Sequence, residues 1–209
     1  MSKTNWPQAL EPLLKKYKGK KHPLDHKNIY QLVVAVVLSA ADSDKHINEL
    51  SPAFFKAFPD MESLSRSDAE ELHTYIHTVR NFANKAKWLL EIAQIIKEDK
   101  KIPLTMEELI QLPGIGRKSA NVIMRESGVK AEGVIVDLHV VRVAPRLGIA
   151  AGKDPKKIEK QIMDALPQKD WGEIGMALSF LGRETCRPSN PKHLECVVRD
   201  SCEYFKSLQ

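Results

Sequence analysis

The chain has 209 residues, 43% of them hydrophobic and 28% charged, and its formal net charge is +5. That composition excludes a disordered or fibrous chain and leaves room for one large core or two small ones. The mild basic excess is compatible with nucleic acid without establishing it.

The opening "MSKTNWPQ" lacks the apolar centre of a signal peptide. Trp6, Leu10, Leu13, Leu14 and Tyr17 then mark one face of an amphipathic helix. "IYQLVVAVVLSA" is apolar on every side and predicts a helix buried in the middle of the fold. Its apolar run, 32–41, is about half of the ~20 residues that cross a bilayer, so no membrane partner is expected. Pro52 sits inside the next helical pattern and is expected to kink or split it. "SDAE" from Ser67 and "TMEE" from Thr105 both read as capping boxes. Phe82, Ala86, Leu89, Ala93 and Ile96 repeat at helical spacing. "DPKKIEKQIMDAL" opens with Asp154 as cap and Pro155 at the first helical position, and "DWGEIGMALSFLG" gives one more helix. Strand signals are scarce, so the fold class is all-α, with roughly ten helices and short loops.

Two segments carry chemistry. In "LPGIGRKSANVIM", residues 112–124, Pro113 stops one helix, Gly114 and Gly116 allow a tight turn, and a second helix starts near Arg117. Such a helix-hairpin-helix offers backbone N–H groups and a helix N-terminus to a DNA phosphate. A plain glycine turn joining two packed helices is the alternative. Lys118 lies in the first turn of the second helix, where the helix dipole and Arg117 both disfavour an ammonium. A neutral amine there suits Schiff-base chemistry at a sugar C1′; a lysine on phosphate or in solvent is the bland reading. Asp137 follows in "VIVDLHVVRVAPRLG" at a helix N-cap position. Together with Lys118 it suggests base removal, the carboxylate stabilising positive charge on the sugar.

The second segment is "CRPSNPKHLECVVRDSC". It holds all three cysteines, Cys186, Cys196 and Cys202, with His193 among them. An odd, clustered cysteine count argues against a disulfide framework and for a reducing cytoplasm. Three thiolates and an imidazole are an acceptable ligand set for structural zinc or an iron–sulfur cluster.

"LPGIGRKSA", "VDLHVVRV" and "GRETC" with the cysteine segment resemble endonuclease III, a family of helix-hairpin-helix DNA glycosylases of base excision repair. The resemblance runs over residues 30–204. It implies a two-domain fold: a six-helix domain over 22–132 containing the hairpin, and a helical domain over 1–21 and 133–209 containing a cluster loop, with DNA crossing the cleft. It implies that Lys118 is the nucleophile and Asp137 its essential carboxylate. The enzyme would be bifunctional, excising an oxidised pyrimidine and then cleaving the abasic strand by β-elimination. The expected partner is double-stranded DNA bearing a damaged base or abasic site, bound by a cytoplasmic, nucleoid-associated monomer through Gly114, Gly116 and Arg117 among others.

The family's cluster loop is C-x6-C-x2-C-x5-C, so His193 stands where a cysteine belongs. The resemblance therefore implies a 4Fe-4S cluster with Cys3His ligation, zinc or no metal being the alternatives. Such a loop would turn Arg187 and Lys192 toward phosphates. Other departures concern the residues that fill the gap left by a flipped nucleotide. The family's "LSAQ" is "LSAA", which places Ala41 at a glutamine position. A glycine–leucine pair becomes Arg80 and Asn81. "VDTH" is "VDLH", so Leu138 replaces a threonine near the lesion pocket. Tyr30, Ser39, Asp44 and His139 match positions in or near that pocket. Packing for Tyr30, a helix-start carboxylate for Asp44 and a structural histidine for His139 are the competing readings. A specialised paralogue acting on another damaged base, or a non-catalytic damage-specific DNA-binding protein, would share much of this pattern.

Overall fold

Ten consecutive residues, Ile29–Leu38, carry almost no polar side chain, and eight of them are buried in the structure. Each large aliphatic side chain hidden this way contributes roughly 1.5–3 kcal/mol, which makes this helix the axis of its surroundings. The structure is a computed structural model that describes residues 4–209.

Twelve α-helices are present among the described residues, and no strand. They are α1 (Trp6–Lys16), α2 (Ile29–Leu38), α3 (Asp44–Ala57), α4 (Met61–Ser65), α5 (Ala69–Ile76), α6 (Phe82–Ile96), α7 (Met106–Leu109), α8 (Arg117–Glu126), α9 (Leu138–Leu147), α10 (Pro155–Ala165), α11 (Gln168–Glu184) and α12 (Glu203–Lys206). The all-α expectation stands, and the two helices beyond the expected ten are single turns that periodicity cannot register.

The chain divides into two units. One is continuous, Lys21–Val129; the other joins Met1–Lys20 to Lys130–Gln209. In the continuous unit α2 packs on α3, α6 and α8. Phe54 anchors α3, fully buried against Phe55, Phe58 and Tyr75. In the other unit α9 lies along α11, and α1 also docks on α11, with Tyr17 against Phe180. Gly182 permits the α9–α11 approach, since a Cβ there would lie 2.8 Å from His139 Cβ.

Helix starts follow cap chemistry. Asn28 caps α2, Ser43 caps α3, Thr105 caps α7, and Asp154 with Pro155 opens α10 as expected. Three local expectations need correction. Asp68, not Ser67, caps α5, because its carboxylate reaches two amides, those of Glu70 and Glu71, at 2.9 Å each. The Ser67 hydroxyl instead donates back to the Leu64 carbonyl at 2.6 Å. Of the kink or split expected at Pro52, the split does not occur: α3 runs unbroken from Asp44 to Ala57. The ring forfeits one helical hydrogen bond, and burial of Phe54 two residues on holds the helix together. Finally, α11 begins at Gln168, before the aspartate from which its pattern was read.

Candidate active site and cluster loop

The hairpin turn follows α7 and feeds α8. The first helix ends at Leu109 rather than Leu112, and a turn carries the chain on to Gly114. Only Gly114 needs to be glycine for shape. Its φ is +75°, and an added Cβ would lie 2.6 Å from the Trp88 ring. Gly116 has φ −95° and open space where a Cβ would go, so its smallness leaves the backbone approachable from outside. Gly116 is the N-cap of α8 and makes no side-chain cap bond, so no capping side chain covers the start of the helix. Arg117 and Lys118 are the first two residues of α8, both half-buried.

Asp137 is the N-cap of α9, as its surroundings in the sequence suggested, and it is also more firmly held than a cap requires. One oxygen accepts the His139 and Val140 amides at 2.8 and 2.9 Å. The other accepts the Ser179 hydroxyl at 2.6 Å. All three partners donate, so the carboxylate is oriented as a fixed negative charge. Ser179, fully buried in α11, is a functional candidate that pattern reading missed. Its one signal was a polar residue in the apolar string "MALSFL". Beside it, Leu138 is the first residue of α9 and 71% exposed, a large apolar surface next to the carboxylate. His139 is half-buried. Arg142 Nη2 stands 3.2 Å from its Nδ1. A guanidinium can only donate, so Nδ1 accepts and a neutral ring carries its hydrogen on Nε2. The same arginine donates to the Gly182 and Cys186 carbonyls, at 2.9 and 3.1 Å.

The remaining pocket positions lie in the continuous unit. Ser39 caps the end of α2, its hydroxyl turned back to the Val36 carbonyl at 3.1 Å. Asp44 is the first residue of α3, where a carboxylate favours the helix dipole. Tyr30 is fully buried, donates to the Phe58 carbonyl at 2.6 Å, and burial pushes its phenol far above the ordinary range. These contacts are those of a packing residue. Ala41 and Asn81 are exposed residues on turns, both left-handed, with φ 58° and 59°. Arg80, next to Asn81, is exposed as well.

Cys186, His193, Cys196 and Cys202 all line one small cavity beside Arg146, Arg199, Tyr204 and Phe205. Burial pushes the Cys196 thiol up; the Val198 amide works against this, and the nearby Cys202 and Cys186 sulfurs add to it. Three sulfurs and an imidazole are a donor set that suits a soft metal or cluster. The His193 ring stacks on Phe205 at 5.5 Å and lies 5.7 Å from Tyr204. Among the described residues no three His, Cys, Asp or Glu side chains are gathered tightly enough to hold a single ion. Sequence spacing fixes the order of ligands along a loop, not the convergence of their tips. Arg146, which pattern reading did not single out, organises the loop. It donates to the Arg187 and Pro188 carbonyls at 2.7 and 3.2 Å, and its guanidinium lies 3.5 Å from the Cys186 sulfur. Arg187 is exposed; Lys192 is exposed and paired with Glu195 at 3.0 Å.

Comparison with known proteins gives these parts a lineage. Residues 34–168 match the family model "HhH-GPD superfamily base excision DNA repair protein". Endonuclease III of Synechocystis sp. is 38% identical over 192 residues, 91% of this chain and 88% of that protein. Endonuclease III of Bacillus subtilis is 37% identical over 183 residues, covering 86% and 83%. Among solved structures, a trapped endonuclease III–DNA covalent intermediate superposes with a TM-score of 0.87 at 28% identity, covering 100% of this chain and 99% of that one. A non-covalent endonuclease III–DNA complex matches with the same score and identity over 100% and 98%. With the hairpin, the all-helical architecture and these matches in agreement, the chain belongs to the endonuclease III family of the HhH-GPD superfamily of base-excision DNA repair proteins.

Proposed function

We propose that the protein is a bifunctional DNA glycosylase and abasic-site lyase in which Lys118 is the nucleophile and Asp137 the essential carboxylate. The observation that carries this reading is the place of Lys118, second residue of the helix that follows the hairpin turn, in a chain related to an enzyme trapped covalently on DNA. The target nucleotide is first turned out of the stack. The Lys118 amine then attacks C1′, and the bond from C1′ to the base breaks. The base leaves with the electron pair and takes up a proton. Positive charge accumulates on the sugar as this happens, and the fixed charge of Asp137 stabilises it. Opening of the sugar ring gives a Schiff base with Lys118. Loss of a C2′ proton expels the 3′ phosphate, and water releases the enzyme by hydrolysing the imine.

The substrate class proposed is double-stranded DNA with an oxidised pyrimidine or an abasic site, engaged by a monomer in a reducing cytoplasm. Gly114, Gly116 and Arg117 would seat a phosphate at the start of α8, and Arg187 and Lys192 would add contacts from the cluster loop. Ala41 and Asn81 offer little bulk to replace a flipped base, which favours mismatched or abasic sites over well-paired lesions. Leu138 and His139 stand beside Asp137 as pocket candidates. Cys186, His193, Cys196 and Cys202 would hold a 4Fe-4S cluster, whose contribution is to fix the loop rather than to react. An imidazole in place of one thiolate would raise its potential.

Borohydride trapping on abasic DNA tests the reading. Wild type should give a covalent adduct, and Lys118→Ala should abolish it while keeping much of the DNA affinity. Binding without an adduct in the wild type would favour a non-catalytic damage binder. Anaerobically purified protein should be brown and contain about four irons per chain. His193→Ala should lose that iron. Colourless protein with stoichiometric zinc would replace the cluster by a zinc site.

A further inference from the structure

The turns that carry Ala41 and Asn81 are each built around a left-handed non-glycine residue. That conformation is costly for alanine and less so for asparagine, and the surrounding contacts help to hold it. One carboxylate touches both turns. Asp42 Oδ2 accepts the Arg80 amide at 2.9 Å, immediately before Asn81. Asp42 Oδ1 accepts the Ser43 amide at 2.8 Å and meets His46 Nδ1 at 2.8 Å. The His46 ring then reaches across to Thr78 Oγ1 at 3.0 Å through Nε2. The neutral ring donates from Nδ1 and accepts from the threonine hydroxyl, and a protonated ring would donate at both ends, so the bridge survives either state. Beneath it, Lys85 is 1% exposed and donates to the Leu38 carbonyl at the end of α2, 2.8 Å away. Burial lowers the pKa of that lysine, and the Asp42 charge partly restores it.

We infer that Asp42 is a positioning residue, a bracket that fixes the Ala41 and Asn81 turns as one preformed surface for the duplex. The inference rests on the function proposed above. Two long wedge side chains can find the gap left by a base from a mobile backbone. Two short ones cannot, and they must be held where the gap will open. A rigid bracket does this by removing the ordering cost from the binding step. Three donors converge on Asp42, so only a carboxylate satisfies all of them. An asparagine would turn its amide hydrogens against at least one N–H.

Asp42→Ala is the test, with single-turnover kinetics on a paired-lesion duplex and borohydride trapping on single-stranded abasic DNA, which needs no unstacking. We expect kcat/KM on the duplex to fall about tenfold, mostly through KM, while single-stranded trapping stays within a factor of about two. Exchange of the Arg80 amide with deuterium should become faster. Asp42→Glu should recover part of the loss, and the gentler Thr78→Val should lose about two- to threefold in the same direction. Wild-type behaviour of Asp42→Ala on the duplex would overturn the inference. So would equal losses on both substrates, which would make Asp42 a fold residue only. A wild-type protein that traps on neither substrate would overturn the proposed function and this inference with it.

Discussion

Asp137 starts α9 and is the carboxylate proposed for the chemistry, and its partners separate the two roles. In Asp137→Asn the amide oxygen can still accept the His139 and Val140 amides, and its nitrogen can donate to Ser179 Oγ. The fold should therefore survive within about 1 kcal/mol, while base excision falls by at least about a hundredfold through loss of the charge. Thermal melting and a glycosylase assay on the same preparation check this. An active Asn variant would reduce Asp137 to a cap. Ser179→Ala removes one donor from the carboxylate and should cost about 1 kcal/mol of stability with a severalfold loss of rate. Neither Ser179 nor Lys85 was legible as a partner in the sequence. Lys85 lies on the same helical stripe as Phe82 and Leu89, yet a lysine there reads as a long side chain reaching solvent. Its burial is set by the carbonyl at the far end of another helix, a long-range contact that no local pattern contains.

At the level of elements, the hairpin and the cluster loop depend on different supports. The hairpin leans on Trp88 through Gly114. Gly114→Ala combines a left-handed φ with a Cβ 2.6 Å from the indole, and should destabilise by about 1–3 kcal/mol and weaken DNA binding, measured by denaturant titration and by affinity for an abasic analogue. The cluster loop is tied by Arg146. With the proposed cluster in place, Arg146→Ala should speed its loss to a chelator, read by absorbance, without touching α8. Elements were legible where local chemistry and burial agree. The all-apolar α2 and the Asp154–Pro155 start of α10 need no distant information. The choice between Ser67 and Asp68, and the survival of α3 past Pro52, were decided by a side chain reaching two amides and by aromatic packing from α5. The hairpin and its lysine were readable as a string, whereas how closely the sulfur and imidazole tips approach one another was not, because tip positions follow from loop closure.

For the whole molecule, charge sets two measurable behaviours. A net +5 protein holding phosphates should bind duplex DNA with an affinity that falls as salt rises. Arg187→Ala and Lys192→Ala should each flatten the log–log slope by about one, without changing lesion preference. Acid sensitivity follows from carboxylates whose folded pKa lies below the usual value. The Ser63 amide and hydroxyl hold Asp60 there, and the Lys20 ammonium does the same for Glu184 against partial burial. The stability they contribute is present above the unfolded carboxylate range of about 4 and is lost as pH falls through their folded values. Unfolding free energy should stay level from pH 7 to about 5 and then decline, and Asp60→Ala should show a shallower acid limb.

The division of the chain also orders its synthesis. Once residue 129 has cleared the ribosome, the continuous unit with Lys118 has all of its sequence and can fold. α1, made earlier, has no such completion. Its apolar face, with Leu10, Leu13 and Tyr17, has its partner in α11 and must wait for the residues around Phe180. During that interval the nascent chain carries a complete lysine-bearing unit and a helix whose apolar face is still uncovered. The unit that bears Asp137 is completed only afterwards, so the proposed nucleophile Lys118 can be made and folded before Asp137 has been translated.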